Sequence, residues 1–223
     1  MLQLLLGPAE HELQTVLCLG AHCDDIEIGC GGTVLRLAEQ HPHIRVHWVV
    51  LSSTPERATE AHNSADRFLR RVRHKEIIVE EFRTSFFPFL GEQIKEFFED
   101  LKSRIAPDLV LTHTRRDLHQ DHRVTCELTW NTFRDHFILE YEIPKYDGDL
   151  NAPNFFMALE PEHYDAKIDS LLQCFPSQSS KHWFTRETFM ALMRLRGVEC
   201  NAPSGYAEAF YCRKALMAST RRA

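Results

Sequence analysis

The chain has 223 residues, 26 of them Lys or Arg and 32 Asp or Glu, a formal charge of −6 and an apolar fraction of 43%. These are globular values and exclude a disordered or fibrous chain. With no long basic stripe there is no electrostatic footing for nucleic acid, and anionic membrane surfaces are equally disfavoured.

Along the chain, short apolar runs alternate with longer amphipathic stretches. Thr15–Leu19 reads as a buried strand and Thr33–Gln40 as the helix after it; Arg45–Leu51 is a second strand, Glu56–Arg71 a second helix and Lys75–Val79 a third strand. Ile94, Phe97, Phe98, Leu101 and Ile105 fall at helical spacing across Glu92–Ile105. Pro107 stops that helix, and "DLVLTH" follows as a fourth strand. A helical stretch then runs from Asp121 to about Phe133, before the strand "FILEYEIP", the turn-rich "KYDGDLNAPN" and a further strand "FFMALE". Helices at Pro161–Phe175 and Arg186–Arg196 lead to a last strand, "EAFYCRKAL". Strand–helix alternation of this kind predicts one α/β domain over residues 1–223, built on a mostly parallel sheet.

Met1–Pro8 ("MLQLLLGP") is too short for a signal peptide and lacks its basic start. No window approaches the roughly 18 consecutive apolar residues of a spanning helix. The seven cysteines (Cys18, Cys23, Cys30, Cys126, Cys174, Cys200 and Cys212) are odd in number and contain no C-x-x-C pair. They read as reduced thiols, and the expected setting is cytoplasmic, without membrane insertion.

Chemistry concentrates in two places. "LGAHCDDIEIGCGG" packs one His, three acids and four glycines directly behind the first strand. Unpaired carboxylates cannot be buried there without several kcal/mol of cost, so a cation is the natural partner. If Thr15–Leu19 is a strand, His22, Asp24 and Asp25 lie beyond its carboxyl end, where open α/β sheets bind ligands. Gly29, Gly31 and Gly32 are read as opening the helix, giving a tight turn and close approach to a ligand. A dinucleotide site is the competing reading, but the glycines lack the G-x-G-x-x-G spacing and the second strand has no acid at its tip. His22 and Asp25 make a start on a metal site. The alternative is a hydrogen-bonded loop in which Asp24 and Asp25 cap the next helix.

The second place is "LTHTRRDLHQDH", residues 111–122, at the end of the fourth strand. His119 and His122 are three apart, with Asp117 and Asp121 beside them. In a parallel sheet both loops leave the same edge. His22, Asp25 and His122 can then meet at one metal with a position left open for water, as in catalytic zinc sites. An exposed polar loop before a helix is the plain alternative, since thirteen histidines are spread through the chain.

"AHCDDIEIGCGGT" resembles the A-H-[P/A]-D-D-x-E-x-G-x-G-G-T motif of the PIG-L/LmbE-like zinc-dependent N-deacetylases. "PDLVLTHTRRDLHQDHR" resembles the second motif of that family, and "GYAEAF" (Gly205–Phe210) a third segment of its bacterial members. The resemblance implies a Rossmann-like three-layer fold, with His22, Asp25 and His122 holding Zn2+ or another divalent cation. It implies Asp24 as general base, its alternative being a helix cap. His119 would stabilise the oxyanion or act as acid, best as a protonated imidazole, with Asp121 or Asp117 orienting its ring. Arg57 matches a position that reaches the substrate, although an exposed helix face would also explain it; Tyr206, Glu208 and Lys145 are further substrate candidates. Cys23 and Gln120 stand where the family commonly has proline, and neither position supplies a ligand or a proton.

The implied reaction removes an N-acetyl group from an N-acetylglucosamine-type sugar, giving acetate and a free amine. Its partner is a small-molecule amino sugar, and a homo-oligomer is compatible with the sequence. The rivals are an amidase or esterase acting on a non-sugar metabolite, and a metal- or carbohydrate-binding protein without catalysis. Asp24 and His119 speak against the latter, because a pure binding site needs neither.

Overall fold

The computed structural model describes residues 13–216. Met1–Pro8, read above for a signal peptide, lies outside them. The strands are β1 (Thr15–Gly20), β2 (Arg45–Val50), β3 (His74–Val79), β4 (Leu109–His113), β5 (Phe137–Tyr141), β6 (Phe155–Ala158) and β7 (Ala207–Cys212). They form one sheet in the order β3-β2-β1-β4-β5-β7-β6. The first five pair in parallel, whereas β7 runs antiparallel to both β5 and β6. The helices are α1 (Asp25–Gln40), α2 (Pro55–Phe68), α3 (Gly91–Arg104), α4 (Gln120–Thr132), α5 (Pro161–Cys174) and α6 (Arg186–Glu199).

Alternation along the parallel strands divides the core in two. Val16 and Cys18 of β1 join Val46, Trp48, Leu109 and Leu111 on the face covered by α1, α2 and α5. Leu17 and Leu19 join Val49, Val110 and Ile138 on the other face, against Phe87, Ile94, Phe98 and Leu101. Strands buried on both faces read as continuous apolar runs, which explains why β1 and β4 stand out in the sequence. The outcome is the expected three-layer α/β fold. Among the described residues no helix is long and apolar enough to cross a membrane.

Two features position the site. Chain order reverses between β1 and β4, which pair directly (Val16↔Leu109, Leu17↔Val110, Cys18↔Leu111), so a crevice opens beyond their carboxyl ends. Both of the charged loops leave from there. The second feature corrects the sequence reading: α1 begins at Asp25, not Thr33, so Gly29, Gly31 and Gly32 lie inside the helix. They serve close packing and form no turn. A Cβ on Gly29 would sit 2.1 Å from the Tyr141 ring, one on Gly31 2.6 Å from Phe68, and one on Gly32 2.6 Å from Leu159. Asp25 and Glu27 occupy the first helical turn, where the macrodipole favours negative charge.

Candidate active site

His22 lies in the loop after β1, Asp24 at the N-cap of α1 and Asp25 in its first turn; His119 caps α4, and His122 lies in the first turn of that helix. The fold therefore brings both charged loops to one point. His22 Nδ1 is 3.1 Å from His122 Nε2 and 3.3 Å from Asp25 Oδ2, and His122 Nε2 is 3.5 Å from Asp25 Oδ2. A tetrahedral zinc with ligand atoms at about 2.0–2.1 Å spaces them about 3.3 Å apart. The three predicted ligands thus already form a metal-sized triangle.

Each imidazole is also turned the right way. His122 Nδ1 is 2.8 Å from Asp117 Oδ2, and His22 Nε2 is 3.1 Å from Asp121 Oδ2. In both rings the nitrogen facing away from the triangle is thereby held by a carboxylate, as is usual for metal-binding histidines. Asp117 and Asp121, expected to orient His119, instead hold the rings of the two candidate ligands, His122 and His22. Asp117 is further tied to the Lys145 ammonium at 3.1 Å, and Asp121 accepts from the Ser85 N–H at 2.5 Å. Ser85 holds a left-handed φ of 67°, and its carbonyl accepts from the side-chain amide of Gln120. A proline at position 120 could not make that bond.

The electrostatics agree. Burial lowers the His122 pKa, and His113 lowers it further, to about 3. The ring is neutral, which is the form that binds metal. Burial would also lower His22, but Asp25 and Asp121 outweigh it and push the pKa up to about 10, so positive charge is favoured at this spot. Asp25 is raised by burial, yet the neighbouring His122, His113 and His22 hold it well below the usual carboxylate range.

The sequence motifs assign no role to His113, the last residue of β4. It is fully buried, its Nε2 accepts from the Ala21 N–H at 3.0 Å and lies 3.1 Å from Asp25 Oδ2. Its ring stacks on His122 with centroids 3.9 Å apart and planes at 19°. Asp25, His113 and His122 also lie within metal-binding reach of one another, but a nitrogen lone pair lies in the ring plane, so two rings stacked this way are poorly aimed at one ion. His22 and His122 are tilted by 51° and can both face one. His113 is therefore a support beneath the triangle. Its signal in the sequence was a polar ring at the carboxyl end of a central strand.

Asp24 is buried but makes no capping hydrogen bond, so the helix-cap alternative fails. Its Oδ1 accepts from Arg57 Nη2 at 2.8 Å, and among the described residues nothing bonds Oδ2. Burial raises its pKa, the Arg57 guanidinium opposes this, and the net direction is upward. His119 Nδ1 accepts from the Asp121 N–H at 3.2 Å, which leaves its proton on Nε2. Burial and then His22 lower its pKa, so the neutral ring, not the imidazolium expected, presents that donor. Cys23 donates its thiol to the Ser52 carbonyl, and burial pushes the pKa up to about 12; it is an inert spacer.

Tyr206 does not reach this cluster: its ring packs on Tyr164 at 4.5 Å and beneath Arg194. Glu208 is bound to α1 and α5, and Lys145 to Asp117 and Asp149.

Glu27, also in the first motif, is fully buried, and among the described residues no hydrogen bond of good geometry reaches either carboxyl oxygen. Burial raises its pKa well above the usual range, with Ser64 relieving only part. The unfolded chain ionises this residue above about pH 4.3 and the folded chain only at higher pH. Its contribution to stability is therefore lost as pH rises between those two values. Glu27→Gln is expected to gain stability over the wild type as pH is raised from 5 to 8. Urea unfolding at both pH values checks this, and an equal difference at each would contradict it.

Residues 17–133 match the family model described as PIG-L, GlcNAc-PI de-N-acetylase. An uncharacterized deacetylase, YaiS, of Escherichia coli (strain K12) is 28% identical over 166 residues, 70% of this chain and 88% of that protein. Among solved structures, the N,N'-diacetylchitobiose deacetylase of Pyrococcus horikoshii superposes with a TM-score of 0.67 at 19% identity, covering 89% of this chain and 83% of that one. GalB, the 4-carboxy-2-hydroxymuconate hydratase from Pseudomonas putida KT2440, superposes with a TM-score of 0.75 at 18% identity, covering 94% and 100%. At such identities the two structures speak for the fold alone.

Proposed function

We propose that this chain, which belongs to the PIG-L family of GlcNAc-PI de-N-acetylases, is a metal-dependent hydrolase that removes the N-acetyl group of a small N-acetylglucosamine-type sugar. The observation that carries this reading is the triangle of His22 Nδ1, Asp25 Oδ2 and His122 Nε2, with sides of 3.1–3.5 Å and both imidazoles anchored by carboxylates.

His22, Asp25 and His122 would hold the cation. When bound, it would supply an activated water and polarise the acetyl carbonyl. Asp24 takes the proton from the attacking water on Oδ2, the oxygen that Arg57 leaves free, and returns it to the departing amine. Nε2–H of His119 donates to the oxygen that gains negative charge, and the Asp121 N–H fixes the ring for that task. A mixed His and Asp donor set accepts several divalent ions, with zinc the first to test.

The test is acetate release from N-acetylglucosamine and N,N'-diacetylchitobiose, before and after metal removal with a chelator. Release should disappear with the metal and return when zinc is restored. Release that persists in metal-free protein would end the metal-dependent reading. No release from either sugar by zinc-loaded protein would move the reading to a non-sugar amide.

A further inference from the structure

Arg57 matches a substrate-contacting position by resemblance, yet its side chain is already engaged. Besides Asp24 at 2.8 Å, its Nε lies 3.3 Å from Glu60 Oε2, one turn along α2. The three side chains are 20%, 8% and 9% exposed, for Arg57, Asp24 and Glu60 respectively. The guanidinium also lies 5.9 Å from the centre of the Phe175 ring. Glu60 is fixed in turn: its Oε1 accepts from the Ser177 N–H at 2.9 Å and its Oε2 from the Ser177 hydroxyl at 2.6 Å. Ser177 belongs to the single 3₁₀ turn Pro176–Gln178 that follows α5.

We propose that Arg57 is a positioning residue for Asp24, and that Glu60 and Ser177 hold Arg57 in that role. This rests on the deacetylase reading, in which Asp24 is the base. A guanidinium is a planar fork with its donors fixed relative to one another. Once the Glu60 carboxylate, as an ion pair without a directed hydrogen bond, and the Phe175 ring hold the guanidinium in place, the Nη2 bond to Oδ1 sets the Asp24 carboxylate, and Oδ2 faces its proton in one orientation. Freed from this grip, Asp24 can rotate, and a misplacement of about 1 Å can cost up to about 100-fold in rate. A substrate-binding arginine would act on KM instead.

The experiment measures kcat, KM and bound metal on N,N'-diacetylchitobiose for wild type, Glu60→Gln, Glu60→Asp, Ser177→Ala, Arg57→Ala and Arg57→Ala/Glu60→Gln. Glu60→Gln is expected to lower kcat roughly tenfold, with KM within about twofold and metal unchanged. Glu60→Asp should recover part of that loss, and Ser177→Ala should lose less. The double variant should be no slower than Arg57→Ala alone, because Glu60 acts only through Arg57. An unchanged kcat in Glu60→Gln overturns the proposal, as does a raised KM with kcat kept, or additive losses in the double variant. If Arg57→Ala does not fold, the Glu60 and Ser177 variants decide. Zinc-loaded wild-type protein that releases acetate from neither N-acetylglucosamine nor N,N'-diacetylchitobiose overturns the deacetylase reading and this proposal with it, whereas wild-type turnover with an unaffected Glu60→Gln overturns this proposal alone.

Discussion

Asp24→Asn is expected to lower kcat for acetate release by about 10²–10⁴-fold, the range for removing a general base, while the protein keeps its metal. The substitution is nearly isosteric. The amide oxygen can still accept from Arg57 Nη2, and none of the three atoms of the triangle belongs to residue 24. What disappears is the oxygen that can accept a proton. His122→Ala gives the contrasting result, because it removes one corner of the triangle, and its activity should fall together with its metal content. Measuring kcat and metal per chain on both variants separates chemistry from binding. Residual activity within tenfold of wild type in metal-loaded Asp24→Asn would remove Asp24 from the proton path.

Much of this site is legible in the sequence because it depends on where strands end. Two acid and histidine clusters, each just past an apolar run, meet whenever the sheet is parallel and the two strands are neighbours; β1 and β4 are. The approach of His22, Asp25 and His122 to one another follows from that topology with little else required. What the sequence hides is partner choice. Asp117 and Asp121 both flank His119, and adjacency suggested that one of them would orient its ring. The helical turn that starts at Gln120 instead aims Asp121 at His22, across 99 positions, and leaves Asp117 to His122.

The glycines misled for a related reason. Glycine has two uses, a backbone conformation that other residues avoid and the absence of a side chain. Only the second applies to Gly29, Gly31 and Gly32, and it depends on Tyr141, Phe68 and Leu159, all distant in the chain. Tyr206 and Glu208 fell within a matching segment, yet they are occupied by Tyr164 and Arg194 and by α1 and α5. Neither partner set has a local signature.

Glu208 carries the largest stability prediction. Its Oε1 accepts from the Gly32 N–H at 2.8 Å and from Lys167 Nζ at 2.6 Å, and its Oε2 accepts from the Thr33 N–H and hydroxyl, each at 2.6 Å. Lys167 also donates to the Ile28 carbonyl at 2.7 Å. In a regular helix the Gly32 N–H and the Ile28 carbonyl bond each other. The buried pair therefore engages both ends of one turn of α1 and ties it to α5 and β7. Glu208→Ala leaves the Lys167 ammonium buried without a counter-charge, a change that costs about 3–5 kcal/mol. For a chain of this size that corresponds to a fall in Tm of roughly 6–20 °C. Lys167→Met should cost less, because Glu208 keeps its three donors from α1. Glu208→Ala combined with Lys167→Met should be less destabilising than the two single losses added together, since neither charge is then stranded. Thermal and urea unfolding of the three variants measure this. Glu208→Ala within 1 kcal/mol of wild type would mean that α1 holds its place, and with it Asp25, without the pair.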